Sequence, residues 1–286
     1  MKKLIERLLI FFIGVPAVYA LVVLLPFYHH LALNIIVILF SALGAVEFSA
    51  MLEKKNIRVS KTEAFIFGAL APLSATLTIS FSLPGWIIPI LLMAGALWAV
   101  LARAFTAQKN MDNVISYITG VFSVIAYPGL FMYWMIKMTS WENSGAILLF
   151  LFITFGNDSS AWFLGSLLGK NNKGIIPASP NKSIAGFFGG FLGTVIISGG
   201  AAILFPSVFF AENCASSLII KSVILGIFTG IFANLGDLAE SALKRSCDFK
   251  DSGKLILGRG GILDSIDSVA VAAPVFFFLY SLCFLQ

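Results

Sequence analysis

A chain of 286 residues with 59% apolar side chains, 12% charged ones and a mean hydropathy of +0.96 is too oily for an ordinary soluble domain. Its 19 Lys and Arg against 14 Asp and Glu leave a net charge of +5, and no nucleic-acid partner is expected. The three cysteines, Cys214, Cys247 and Cys283, are far apart and form no CxxC pair, which excludes a disulfide framework or a zinc site and leaves them as small packing residues.

Apolar runs long enough to cross a hydrocarbon layer of about 30 Å recur along the chain. They fall near 8–28, 31–51, 63–81, 85–105, 113–136, 143–168, 184–208, 217–243 and 266–285. The expected fold is therefore an all-α polytopic membrane protein with about nine transmembrane helices. Residues 1–20 end on VYA like a signal peptide, but the apolar run continues past residue 20 and another span follows at once. An anchor is the better reading. His29 and His30 fall in the first short connection and read as interfacial polar residues. Only SLPG (82–85) separates the third and fourth runs. Pro16, Pro89, Pro128 and Pro274 lie inside runs, where membrane helices tolerate them with a kink.

Charge predicts the orientation. With the N-terminus cytoplasmic, one side collects Lys2, Lys3, Arg7, Lys54, Lys55, Arg58, Lys61, Arg103, Lys109, Lys170, Lys173, Lys182, Lys244, Arg245, Lys250, Lys254 and Arg259. That is 17 of the 19 cations, and only Lys137 and Lys221 fall opposite. Cytoplasmic loops carry such an excess. The chain divides by content into 1–140, membrane helices nearly free of buried charge, and 141–286, which holds the informative polar residues.

Three stretches of the second half carry chemistry. In GNDSSAWFLGSLLGKNNKG (156–174), Asp158 stands about 10 residues, roughly 15 Å, before the cytoplasmic end of its span. A carboxylate at that depth is costly and marks function by default. GSLLGK is not a phosphate loop, since no Ser or Thr follows its lysine. SPNKS (179–183) offers a helix cap, with free N–H groups and Lys182 attracting anions. In GDLAESALKR (236–245), Asp237, Glu240 or Ser241, and Lys244 recur at spacings of three and four, on one helix face.

The stretch KRSCDFKDSGKLILGRGGILDSIDS (244–268) packs five cations, four aspartates and four glycines into a chain that otherwise avoids charge. Asp264 and Asp267, three apart, open the last span. Carboxylates can hold Mg²⁺ together with phosphate oxygens, cations bind phosphate charge, and glycines let backbone approach a phosphate. The combination points to metal-assisted phosphoryl or nucleotidyl transfer on a lipid.

SALKRSCDFKDSGKLILGRGGILDSID (241–267) resembles the signature of the phosphatidate cytidylyltransferase, or CDP-diacylglycerol synthase, family. Ser241, Lys244, Arg245, Lys250, Asp251, Gly253, Gly260, Gly261, Asp264 and Asp267 fit it, and GDLAES, DSSAW (158–162) and SPNKS with Gly186 look like family stretches. Arg259 stands where the family usually has His, Ser265 where it usually has Arg, and Leu257 near a usual Pro or Gly.

The resemblance implies transfer of a cytidylyl group from CTP to phosphatidate, giving CDP-diacylglycerol and pyrophosphate with Mg²⁺. It implies Asp237, Asp264 and Asp267 as metal ligands, with Asp237, Lys244, Arg245 and Asp264 at the catalytic centre. Lys244, Arg245, Lys250 and Arg259 would hold phosphates. Asp158, Ser159 and Lys182 would line the same cytoplasm-facing cavity, and Ser241, Asp251, Gly260 and Gly261 complete the substrate-binding set. A homodimer and an inner-membrane location complete the expectations. A CTP-dependent polyprenol or dolichol kinase, or a cytidylyltransferase for another lipid phosphate, stays open. An ion-coupled transporter fits less well, since no internal repeat is visible.

Overall fold

The computed structural model describes residues 10–104, 113–174, 176–256, 258 and 260–285. The described chain is helical, with two isolated bridges, Lys173 to Ser183 and Ile256 to Gly260, as its extended pairings. The helices are α1 (Val15–Tyr19), α2 (Phe27–Lys54), α3 (Lys61–Ser80), α4 (Ile87–Leu101), α5 (Val114–Val124), α6 (Phe131–Met138), α7 (Ser144–Leu168), α8 (Ile184–Leu204), α9 (Ser216–Ser246) and α10 (Leu263–Phe284).

Among the described residues, seven helical stretches are long and apolar enough to cross a membrane: Phe27–Lys54, Lys61–Ser80, Val114–Trp141, Ser144–Leu168, Ile184–Leu204, Ser216–Ser246 and Leu263–Phe284. The chain is a multi-pass membrane protein. The other two expected spans are shorter apolar helices, Phe12–Leu24 and Ile87–Leu101. Fifteen residues rise only about 22 Å, less than a hydrocarbon core. The first is broken into π turns on either side of α1. The second starts late, because SLPG runs as an irregular bend into Ile87. His29 and His30 lie in a left-handed turn, Tyr28–His30, with φ of 52°, 54° and 57°. His30 is buried.

The residues group into two compact units, Met1–Ser140 with Leu243–Ile266, and Trp141–Ala242 with Asp267–Gln286. In the first unit, α2 and α3 approach through small residues. Ser41 Oγ donates to the Gly68 carbonyl at 2.6 Å, and a Cβ on Gly68 would lie 2.4 Å from Ala45 Cβ. Membrane helices pack through such residues because burial from lipid offers little drive of its own. Ser60 caps α3 in a reciprocal pair with Glu63, as an S-x-x-E pattern predicts. Pro128 interrupts the fifth expected span, with Tyr127 leaving helical geometry between α5 and α6.

In the second unit, α7 and α8 meet along glycines. A Cβ on Gly189 would sit 2.9 Å from the Ser160 carbonyl, and one on Gly186 would sit 3.0 Å from that of Ala161. At the far end Trp141 stacks on Phe277 and Tyr280, with ring centroids 5.0 and 4.5 Å away. Tyr280 donates its hydroxyl to the Val208 carbonyl.

Candidate active site

In the first unit the charged stretch forms a closed loop. α9 ends on Lys244 and Arg245, cations suited to a helix C-terminus. Asp248 turns the chain in the left-handed region, φ 59°. The loop then folds on itself, with Ile256 and Gly260 exchanging N–H to carbonyl bonds of 2.9 and 3.0 Å. Gly260 has φ 109°, a conformation costly for any side chain, and a Cβ there would lie 2.5 Å from Asp264 Oδ2.

Asp264 organises this loop. Its Oδ2 accepts from the Ser252 N–H at 2.8 Å, the Ser252 hydroxyl at 2.8 Å and the Gly261 N–H at 2.7 Å. Its Oδ1 meets the Lys244 ammonium. Lys244 and Asp264 are therefore brought together. The N–H groups of Gly260 and Gly261, expected to face phosphate, are donated to Ile256 and Asp264. Arg245, Lys250 and Asp251 are exposed. Arg259 and Leu257 lie outside the described residues. Ser265 bonds back to the Gly261 carbonyl at 3.3 Å, inside the first turn of α10.

Sequence reasoning missed Glu47. This carboxylate, on α2, accepts from the Ile262 N–H at 3.1 Å, the Leu263 N–H at 2.9 Å and the Ser252 hydroxyl at 3.0 Å. It satisfies N–H groups that the start of α10 would otherwise leave without partners. The signal was legible: a single Glu inside LFSALGAVEFSAML (39–52) falls under the same rule that singled out Asp158. The first half is thus not free of buried charge where it matters.

In the second unit a carboxylate group gathers Asp158 of α7, Asp237 and Glu240 of α9, and Asp267 in the first turns of α10. Asp267 is buried at 7% exposure and Glu240 at 0%. Asp267 feels the charges of Asp237, Glu240 and Asp158. Lys182 closes on Asp237 Oδ2 at 2.5 Å, and Ser241 Oγ donates to Asp237 Oδ1 at 3.3 Å, as the four-residue spacing predicts. Ser183 caps α8, accepting from the Gly186 N–H at 3.1 Å, which sets Lys182 just before the helix. Ser159 is exposed and bonds to its own helix at Phe155.

Two features hold this group together. Gly236 lets α9 pass against α10, since a Cβ there would lie 2.4 Å from the Asp267 carbonyl oxygen. Asn234 donates to Asn157 Oδ1 at 3.2 Å, a buried amide pair that ties α9 to α7 beside Asp158. Neither amide was singled out from sequence, because each pairs with a partner 77 residues away.

The donor set is hard oxygen, which suits Mg²⁺. Among the described residues no three His, Cys, Asp or Glu side chains converge closely enough to cage an ion. The fit is to an ion held by one or two carboxylates and completed by phosphate oxygens and water, the usual Mg²⁺ arrangement. Asp237 and Asp267 are the two such carboxylates nearest the α9–α10 approach. Asp264 is already held by the Ser252 and Gly261 N–H groups and by Lys244, so binding a cation there means releasing Lys244.

Apolar spans carry buried and half-buried carboxylates and two lysine–aspartate pairs, Lys182 with Asp237 and Lys244 with Asp264, groups suited to a membrane enzyme that handles phosphates. The chain matches the cytidylyltransferase family model over residues 5–283 and belongs to that family. It is similar to a phosphatidate cytidylyltransferase of Staphylococcus saprophyticus, 32% identical over 263 residues, 91% of this chain and 94% of the relative. The phosphatidate cytidylyltransferase of Bacillus subtilis is 33% identical over 192 residues, 65% of this chain and 67% of the relative. That of Haemophilus influenzae is 37% identical over 138 residues, 47% and 45% of the two chains.

Proposed function

We propose that the chain is a phosphatidate cytidylyltransferase that makes CDP-diacylglycerol for phospholipid synthesis. The observation that carries the reading is the carboxylate group of Asp158, Asp237, Glu240 and Asp267 with Lys182 beside it, in a chain of the cytidylyltransferase family. An oxygen of the phosphatidate phosphate attacks the α-phosphorus of CTP. The bond from that phosphorus to the bridging oxygen of the β-phosphate breaks, and pyrophosphate leaves.

The attacking phosphomonoester, with a second pKa near 6, is already largely ionised at neutral pH. It needs little proton removal, so positioning and charge neutralisation carry the step. Asp237 and Asp267 would hold Mg²⁺, which when bound neutralises charge developing on phosphate oxygens. Lys182 and Lys244 bring ammonium groups to phosphates, and Arg245, Lys250 and Arg259 add charge for CTP. Asp264 keeps Lys244 and the glycine turn in place.

The test is incubation of purified protein with phosphatidate, Mg²⁺ and CTP labelled in the α-phosphate. The expected result is a labelled lipid with release of pyrophosphate. Release of CDP with transfer of the γ-phosphate would mark a kinase and overturn the reading.

A site at the cytoplasmic face of the inner membrane is supported by the charge bias of the sequence, 17 of 19 cations falling on one side when all nine apolar runs cross. Reporter fusions after residues 170, 214, 255 and 286 are expected to alternate inside, outside, inside, outside. A fusion after 255 that reports outside removes this orientation.

A further inference from the structure

We propose that Glu47 is a positioning residue for CTP, holding from α2 the loop that joins Lys244 at the end of α9 to Asp264 at the start of α10; this rests on the cytidylyltransferase reading above. Glu47 is 8% exposed and about 10 Å along the helix from its charged end at Lys54. A carboxylate so placed is costly unless its oxygens are satisfied. All three of its donors come from the 252–263 stretch.

The glycines of that stretch fit this carboxylate. A Cβ on Gly253 would lie 2.1 Å from Glu47 Oε1. On Gly261 it would lie 2.3 Å from Glu47 Oε2 and 2.0 Å from Ser252 Oγ. Neither glycine has the positive φ seen at Gly258 and Gly260, so what they supply is space. The signature pattern thus carries a cleft for a side chain more than 200 positions upstream.

Ser252 links the two carboxylates. Its hydroxyl lies 3.0 Å from Glu47 Oε2 and 2.8 Å from Asp264 Oδ2, with one proton to donate. The Ile262 and Leu263 N–H bonds to Glu47 do not involve Asp264. They keep the start of α10 in place even when Lys244 exchanges Asp264 for a phosphate. A shift of about 1 Å in such a group is enough to cost about 100-fold in rate.

Glu47→Gln keeps the volume but turns an NH₂ toward N–H or O–H donors. In purified full-length protein it is expected to lower kcat/KM for CTP by about 10- to 100-fold with the KM for phosphatidate unchanged. Trypsin should cleave faster after Lys250 and Lys254 in the released loop. Glu47→Asp, which keeps the charge but is one methylene short, should fall between. Gly253→Ala, which pushes the carboxylate aside without altering it, should reproduce the Glu47→Gln kinetics and keeps the test alive if Glu47→Gln does not fold. Parent kinetics in Glu47→Gln or in Gly253→Ala overturns the proposal. So does lost activity with unchanged loop cleavage, or an equal rise in the KM for phosphatidate. If the parent protein makes no CDP-lipid, the function reading fails instead, while loop cleavage still reports on the Glu47 clasp.

Discussion

Asp237→Asn is expected to reduce CDP-lipid formation by about 10²- to 10³-fold while the protein still inserts and folds, the scale seen when one transition-state-stabilising group is removed. Asn keeps the size and one acceptor oxygen, so Ser241 retains a partner. What disappears is the negative charge that pairs with Lys182 and would neutralise Mg²⁺. More phosphatidate should not restore turnover, because the lipid is not what is missing. Higher Mg²⁺ or Mn²⁺ should restore part of it.

Asp264→Asn is expected to fall as far for a different reason. Asn cannot serve Ser252, Gly261 and Lys244 together, and its NH₂ would face donors on one side or the other. Breaking a largely buried ion pair by removing one partner costs about 3–5 kcal/mol. This variant should therefore also melt earlier, which Asp237→Asn should not. Asp248→Asn is the contrast. Asp248 is exposed and left-handed, a conformation Asn tolerates, so its activity should stay close to the parent's. Initial rates with labelled CTP, read beside thermal unfolding in detergent, check all three. Near-parent turnover in both Asp237→Asn and Asp264→Asn would refute the assignment.

Gly236→Ala carries the second large effect. The added methyl would lie 2.4 Å from the Asp267 carbonyl oxygen and 3.0 Å from its carbon. Those are backbone atoms of α10, so no side-chain rotation relieves the contact. The helices must separate locally, and overpacking of this kind costs about 1–3 kcal/mol. Because Asp237 follows Gly236 and Asp267 is the residue contacted, the separation falls within the carboxylate group itself. Activity should drop by at least about tenfold, with a higher Mg²⁺ requirement and a lower melting temperature. Gly200→Ala makes the control in the same unit, since a Cβ there meets nothing within 4 Å. Equal activity in the two variants would show that the Gly236 contact does not set the carboxylates.

The membrane class, most helix positions and the family were legible in the sequence. Long apolar runs have one stable form in lipid, a helix that satisfies its own backbone. The aspartates stood out because carboxylates in apolar runs are rare, and SPNKS announced a helix start at Ser183 through local capping chemistry. Those are effects of neighbours within four residues. The tertiary structure decided the rest. Asn157 with Asn234, Gly236 with Asp267, and Glu47 with Ser252, Ile262 and Leu263 meet across tens to hundreds of residues. No local period encodes such distances. The glycines of the charged stretch show the difference most clearly. Read alone, they are flexible backbone for a phosphate; folded, Gly253 and Gly261 are the room that a distant carboxylate occupies, because two groups cannot share that volume.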